Sequence, residues 1–391
     1  MLGWDFSQLV YTIMSTVIRK YLLSFHRWTG FTIGLVVLLS AITGLTLIFR
    51  DQLEPRVHSD LFTVTGCVSR LPLDTFINKA KEARPDSVVD YIRITRDSTI
   101  KEAKPSIIIR YTDQNFIYLN PCSAEILGFK HRYGGTFGVI DQIHRWRFMK
   151  NGSLIVGTSA ILLGLVMVLG GMVLVFTGFR KSFKEIFILK KGLSGLPRLI
   201  DLHKTVGVYI GFVLLLSVMT GLPQAFDWYK KGIYTITGSE MNNGPKRINP
   251  PENGEMVSIE EIWRNAQSLV PNSMDALIHY PSAKDEVVEI FMIPEDAPHI
   301  NARSYLYVNP YDNSVLKFTP YKENTIGFKI FFWTLSWHTG RFGGIIGKLI
   351  LLSGALGLMF LAYTGTTSYL KKRKIQTEKN LSSSSILRKT P

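Results

Sequence analysis

A chain of 391 residues carrying a formal net charge of +15 is long enough for two or three soluble domains. Its apolar residues instead gather into four long uncharged stretches, which excludes an ordinary soluble globule. The basic residues collect beside those stretches, so the charge calls for no nucleic-acid partner.

Residues 1–20, MLGWDFSQLVYTIMSTVIRK, lack the basic start and small-residue cleavage site of a signal peptide and read as an N-terminal interfacial segment. A first membrane helix is expected over 21–50, since no charged side chain falls between Trp28 and Phe49 and about 20 such residues cross roughly 30 Å of hydrocarbon. Residues 51–150 form a first outside domain of α+β type. LPLDTFINKAKEA has helical spacing there, and VVDYIRIT, SIIIRYT and FIYL are strand-like. A second membrane helix takes 151–180, uncharged from Ser153 to Phe179, and a basic loop follows over 181–202. The third helix takes 203–226, uncharged from Thr205. A second α+β domain over 227–340 has SIEEIWRNAQSLV as its helix and MDALIHY, EVVEIFMI and SYLYV as strands. The fourth helix takes 341–370, uncharged from Leu349 to Leu370, and the tail 371–391 ends in LSSSSILRKTP, whose composition suits disorder. In each domain an Asn-Pro turn closes the last of these strands.

Arg19, Lys20 and Arg27 precede the first span, seven basic residues from Arg180 to Lys204 mark the link between spans two and three, and Lys371-Lys372-Arg373-Lys374 follows the fourth. Short basic flanks stay in the cytoplasm, so both termini are expected inside and both domains outside. Cys67 and Cys122 fall in the first outside domain, where they could pair in an oxidising compartment or stand as two small buried thiols.

The chain repeats itself. His26, Gly30, Gly34, Ser40, Thr43 and Gly44 match His203, Gly207, Gly211, Ser217, Thr220 and Gly221 at a constant offset of 177. Gly157, Gly170, Thr177 and Gly178 match Gly344, Gly357, Thr364 and Gly365 at an offset of 187. The expected fold is a four-transmembrane-helix bundle built by internal duplication, with two small outside domains.

Four of the eight histidines stand at span ends: His26 and His203 at the inner ends, His144 and His338 at the outer ends. Interfacial anchoring of His, Arg and Trp explains any one of them. Yet His26-x3-Gly30-x3-Gly34 and His203-x3-Gly207-x3-Gly211 put an imidazole and two bare backbone positions on one helix face. Helix packing explains the glycines but not the imidazole heading each stripe. Haem explains both, because its iron takes two imidazoles from opposite faces. His26 with His203 would hold one haem and His144 with His338 another. Arg27, Lys204, Arg145 and Arg341 would meet the propionates, with Trp28, Trp146 and Trp337 beside the rings. The chain has no Cys-x-x-Cys-His, so attachment would be non-covalent, as in b-type haem. Zinc fits less well: it gathers about four ligands in one place, and these lie at two depths. His58, His131, His279 and His299 are expected to be ordinary surface or core residues.

HRWTGF with TGLTLIFRDQLEP, then IHRWRF, LHKTVG and WHTGRFGG-IIGKLILLSGALGLMFLAYTG, resemble the signatures of the PepSY-associated transmembrane proteins over about residues 20 to 370. The resemblance implies a bacterial inner-membrane protein with PepSY-like periplasmic domains, linked to iron uptake. In members that reduce ferric siderophores, two b-type haems are held by membrane-helix histidines, a role that falls on His26, His144, His203 and His338. The implied function is reduction of a ferric siderophore or other iron chelate at the periplasmic face, with electrons from a cytoplasmic donor or the quinol pool. Tyr305, Tyr307 and Tyr311 are candidate contacts for the chelate. Two rival readings are a non-enzymatic membrane-anchored binding module and a chelate permease; the second needs polar groups inside the spans, which are almost purely apolar.

Overall fold

The computed structural model describes residues 6–96, 103–178, 183–241 and 244–387. In chain order they form α1 (Phe6–Ile48), α2 (Arg50–Val57), α3 (Ser59–Phe62), β1 (Thr63–Thr65), α4 (Leu73–Ala83), β2 (Val89–Thr95), β3 (Ala103–Pro105), β4 (Ile107–Tyr111), β5 (Asn115–Leu119), β6 (Ile126–His131), α5 (Gly135–His144) and α6 (Gly152–Gly178). There follow α7 (Gly195–Ala225), α8 (Asp227–Ile236), α9 (Ile259–Leu269), β7 (Asp275–His279), β8 (Val288–Ile293), β9 (Ser304–Val308), β10 (Val315–Thr319), α10 (Ile326–His338) and α11 (Gly344–Leu387). The chain divides into two compact units. One comprises Met1–Leu45, Ile143–Phe226 and Ile345–Pro391; the other comprises Thr46–Gln142 and Asp227–Gly344.

The first unit holds four helices long and apolar enough to cross a bilayer: Val17–Ile48, Gly152–Gly171, Gly195–Ala225 and Gly344–Leu381. Glycines let them approach. A Cβ at Gly357 would stand 2.6 Å from Ile210 and one at Gly354 2.7 Å from Val213, so α7 and α11 pack where a backbone is bare. Three expected boundaries move. No break separates residues 6–20 from the first span, because α1 is continuous from Phe6; residues 1–5 lie outside the described residues. The basic loop is shorter than 181–202, since α7 begins at Gly195. The tail expected to be disordered is helical to Leu387, residues 388–391 lying outside the described residues. Extending an existing helix costs far less than starting one, and no Gly or Pro interrupts residues 366–390.

The second unit departs from the expectation of two small domains. Its strands form one antiparallel eight-stranded sheet in the order β10-β9-β8-β7-β2-β4-β5-β6. Each half contributes four strands to it, β2, β4, β5 and β6 from the first and β7 to β10 from the second, and one helix that covers them. The halves join where β2 pairs with β7, Ile92 lying opposite Ile278. A separate two-stranded ribbon pairs β1 with β3. Helices α4 and α9 cover one face of the large sheet. Leu73, Phe76, Ile77 and Ala80 from one, and Ile259, Ile262, Trp263 and Ala266 from the other, are buried against Ile92, Ile109, Ile278 and Ile290. Each large aliphatic side chain so buried contributes roughly 1.5–3 kcal/mol.

The helix N-termini cap each other. Asp74, on the first turn of α4, accepts from the backbone N–H of Ile259 (2.9 Å) and Glu260 (3.1 Å) on α9. Glu260 in turn accepts from the N–H of Leu73 (3.0 Å) and from both Arg70 amino groups (2.9 and 3.0 Å). Free N–H groups at a helix start favour an anion, so each carboxylate satisfies the helix it does not belong to. The cysteine alternative also resolves: Cys67 and Cys122 form a disulfide, Cα–Cα 5.6 Å, joining the segment before α4 to the turn after β5.

Candidate functional site

Three of the four span-end histidines sit in the first unit, and all three are seated alike. His26 on α1 lies against α6, its Nδ1 3.5 Å from where a Gly170 Cβ would be, and bonds the backbone of Val166. His203 on α7 lies against α11, its Cε1 3.1 Å from the Gly365 Cβ position. It bonds the backbone of Leu361, and its Nδ1 is 3.0 Å from Thr364 Oγ1. His144, last residue of α5, lies on Gly44 of α1 (3.3 Å), its Nδ1 2.9 Å from the carbonyl oxygen of Ser40 and 3.3 Å from Thr43 Oγ1. In each case the imidazole covers a glycine, and its bond goes to the residue four positions earlier on that helix. A side chain longer than a methyl at the glycine would run into the ring.

These bonds set the tautomer. A carbonyl oxygen only accepts, so the His144 Nδ1 carries the proton. The Thr364 hydroxyl donates to Phe360 O (2.9 Å), leaving its oxygen to accept from His203 Nδ1–H. In a neutral ring so held, Nε2 is the unprotonated nitrogen, the one able to donate a lone pair. This is the arrangement by which a protein orients an imidazole toward a metal.

His26 and His203 face one another with ring centroids 6.0 Å apart and planes at 85°. Two metal–imidazole bonds of about 2 Å, in line with two ring radii of about 1.1 Å, would separate the centroids by roughly 6 Å. A separation of this size would let the two imidazoles hold one metal ion between them. A Cβ at Gly30 or Gly34 would meet nothing within 4 Å, so this part of the α1 stripe borders open space. The buried hydroxyls of Thr205 and Ser368 have no hydrogen-bond partner. Bare glycine faces, orphaned hydroxyls and two neighbouring imidazoles would suit a flat, propionate-bearing macrocycle. Gly207 and Gly211 differ: they are in ordinary contact with Leu361 (3.7 Å) and Met167 (3.9 Å), and serve helix packing.

His338 closes α10, in the second unit. Its helix is fixed by a buried polar cluster two residues away. Ser336, fully buried, has its Oγ 2.9 Å from His299 Nδ1 and accepts from Asn301 Nδ2 at 2.8 Å. The Asn301 N–H also donates to His299 Nδ1 (3.2 Å), which makes Nε2 the protonated nitrogen, donating to Tyr321 OH (3.3 Å). Burial pushes the His299 imidazole down to about 4.

Other expected partners are engaged elsewhere. The Arg341 guanidinium is held by Asp51 through two bonds of 2.7 and 2.8 Å. Lys204 donates to Asp201 (2.8 Å) and to the Glu185 carbonyl (3.0 Å). Arg27 stacks over Trp28 and Tyr369, 5.5 and 5.8 Å from their centroids. The chelate-contact tyrosines belong to the sheet unit's own packing. Tyr307 is 3% exposed and donates to Glu289, Tyr311 donates to the Lys284 carbonyl, and the Tyr305 ring packs on Phe291 and Phe328. Burial drives the Tyr305 phenol up to about 12. His58, His131 and His279 are all in the sheet unit; His279 is 3.2 Å from Asp90. Among the described residues, no group of three or more His, Cys, Asp or Glu could together hold a metal ion.

Sequence reasoning missed the glycines on which the rings rest. Gly44, Gly170 and Gly365 appear only as repeat markers, although Thr-Gly pairs at 43–44 and 364–365 were the available signal. The offset of 187 equates Gly170 with Gly357; the structure puts Gly365 in the role of Gly170, because that is where the His203 ring rests.

Four membrane-length helices in one unit and an eight-stranded sheet with its helices in the other define a membrane protein with a sheet-containing region. Residues 23–372 match the family described as PepSY-associated TM region, and the chain belongs to that family. No curated protein matches the chain.

Proposed function

We propose that this protein is a di-haem electron-transfer protein of the bacterial inner membrane that reduces ferric siderophores or related iron chelates at the periplasmic face. The observation that carries the reading is the His26–His203 pair, close enough to hold one metal ion between them and with each Nδ1 edge anchored to the helix behind it. His144 and His338 would hold the second b-type haem. His144 rests on Gly44, eighteen residues along α1 from His26, a rise of about 27 Å, so the two sites lie at different depths. When bound, haem supplies reversible one-electron chemistry at a potential set by its ligands and burial. The chain's own part is to hold Nε2 in place, exclude water with apolar helices and neutralise propionates. The Arg27 guanidinium, whose stacking on two aromatic rings leaves its charge in place, suits that last task, and the hydroxyls of Thr205 and Ser368 could add hydrogen bonds.

Internal duplication accounts for the matching halves of the sheet and the shared seating of the histidines. The basic loop and tail favour cytoplasmic termini, and a disulfide in the sheet unit suits an oxidising periplasm. Reduction is useful there because oxygen donors that grip Fe(III) hold Fe(II) poorly, so the chelate releases its metal. Absorption spectroscopy of detergent-purified protein tests the reading. A Soret band that loses about half its intensity in His26→Ala or His203→Ala, with the other half lost in His144→Ala or His338→Ala, is expected. A colourless protein after haem supplementation, or four variants with unchanged spectra, overturns it.

A further inference from the structure

The link leading into α7 runs Ile186-Phe187-Ile188-Leu189 before it reaches Lys190 and Lys191. Ile186, the last residue of a single 3-10 turn (Phe183–Ile186), is buried, and the chain then leaves regular structure until α7. The next three side chains turn outward: Phe187, Ile188 and Leu189 are 38%, 50% and 37% exposed. A loop that runs through water is normally polar, and a run of exposed apolar residues calls for a partner.

α7 presents a surface of the same kind. Ile200, Tyr209 and Phe212 are each more than half exposed, as expected where a membrane helix meets lipid. The Phe187 ring packs edge-on against the Tyr209 ring, centroids 6.2 Å apart, so the loop continues that surface.

The backbone of the loop is suited to the same surroundings. Hydrocarbon offers no water to an exposed N–H or C=O, so irregular backbone enters it only where protein groups satisfy these atoms. Side chains of α7 do so here. Lys204 donates to the Glu185 carbonyl (3.0 Å), the Tyr209 hydroxyl to the Phe187 carbonyl (3.0 Å) and Arg198 to the Lys190 carbonyl (3.1 Å). Asp201, itself buried, accepts from the Lys190 N–H at 2.8 Å. Tyr209 also sets the depth. It lies four residues, a rise of about 6 Å, inside the uncharged run that begins at Thr205, and helical side chains lean toward the helix start. Its hydroxyl therefore holds the Phe187 carbonyl at the boundary between hydrocarbon and headgroups. Lys190 is paired with Glu185 (3.0 Å), so the apolar side chains, not the charge, decide what the loop meets.

We propose that Phe187, Ile188 and Leu189 form a wedge inserted into the lipid leaflet at the His203 end of the membrane, held there by Lys204, Tyr209, Arg198 and Asp201. The wedge requires neither haem nor a particular orientation of the chain.

The chain has two cysteines, joined to each other, so an introduced cysteine is the only free thiol. A fluorophore is attached to Ile188→Cys in the full chain, reconstituted in phosphatidylcholine nanodiscs. It is compared with one on Phe212→Cys in the span and one on Asn253→Cys in an exposed turn of the sheet unit. Bromination of the lipid tails is expected to remove roughly half or more of the emission at position 188, as at 212, and aqueous iodide almost none. Position 253 is expected to show the reverse, and Leu189→Cys to repeat the result at a second place. Tyr209→Phe deprives the Phe187 carbonyl of its donor, so the loop is expected to rise toward water and its quenching by brominated lipid to fall at least about twofold. Iodide quenching at 188 as strong as at 253 overturns the proposal. So does a label shielded from both quenchers, which would place a protein on the loop, and so does quenching that Tyr209→Phe leaves unchanged. None of these readings uses the Soret band, so failure here and failure of the haem reading are separable.

Discussion

His299 offers a test of how the helix bearing His338 is held. The imidazole is 4% exposed and is bonded on both nitrogens, and burial lowers it from 6.5 to about 4. The unfolded chain therefore takes up a proton at a pH where the folded chain does not. Stability from this group is complete above pH 6.5 and is lost as pH falls toward 4. At 1.36 kcal/mol per pH unit the full loss is about 3 kcal/mol, and by pH about 4.5 it is about 2.5 kcal/mol, close to a hundredfold in the opening equilibrium. Hydrogen exchange on the full chain in micelles reads this locally, in peptides covering residues 299–305 and α10. After correction for intrinsic rates, protection is expected to fall by close to that factor between pH about 7 and about 4.5. His299→Gln lowers protection at neutral pH but removes most of the pH dependence. Equal pH profiles in wild type and His299→Gln would refute the argument that a neutral buried imidazole bolts this helix down.

The glycines under the rings give a graded series. Gly170→Ala should leave the spectrum intact, since its Cβ would stand 3.5 Å from His26, whereas Gly365→Leu should expel the His203 ring and remove one haem's share of the Soret band. The Cβ of Gly30→Ala or Gly34→Ala meets no protein atom within 4 Å, so lost absorbance there would point to a cofactor and normal absorbance to lipid. Asp74→Ala and Glu260→Ala should each cost about 1–2 kcal/mol, and the double variant less than their sum, as measured by chemical denaturation in a double-mutant cycle. Cys67→Ser with Cys122→Ser releases a 55-residue loop, worth about 4 kcal/mol by chain entropy alone. A denaturation midpoint insensitive to reductant would contradict a stabilising role.

The membrane helices were legible because hydrocarbon imposes a requirement that sequence alone can meet: a run of apolar residues of fixed length. The strands of the sheet unit were legible for a similar local reason, in their two-residue alternation. Joining both halves into one sheet was not, because pairing of β2 with β7 brings together residues nearly two hundred positions apart. Helices α8 and α10, and strands β6 and β10, also escaped.

The same division runs through the candidate site. His26 and His203 could be singled out by composition and spacing, since an imidazole at the head of a glycine stripe is conspicuous in an apolar helix. Which helix each ring leans on, which nitrogen keeps its proton and which cations are already bound depend on neighbours supplied by other helices. Arg341 read as a propionate partner until Asp51 was found holding it. Local pattern determined the elements and the residue types able to grip a metal. Only the tertiary structure decided their orientation, because a hydrogen bond or ion pair requires two groups within about 3 Å, and the sequence places only one of them.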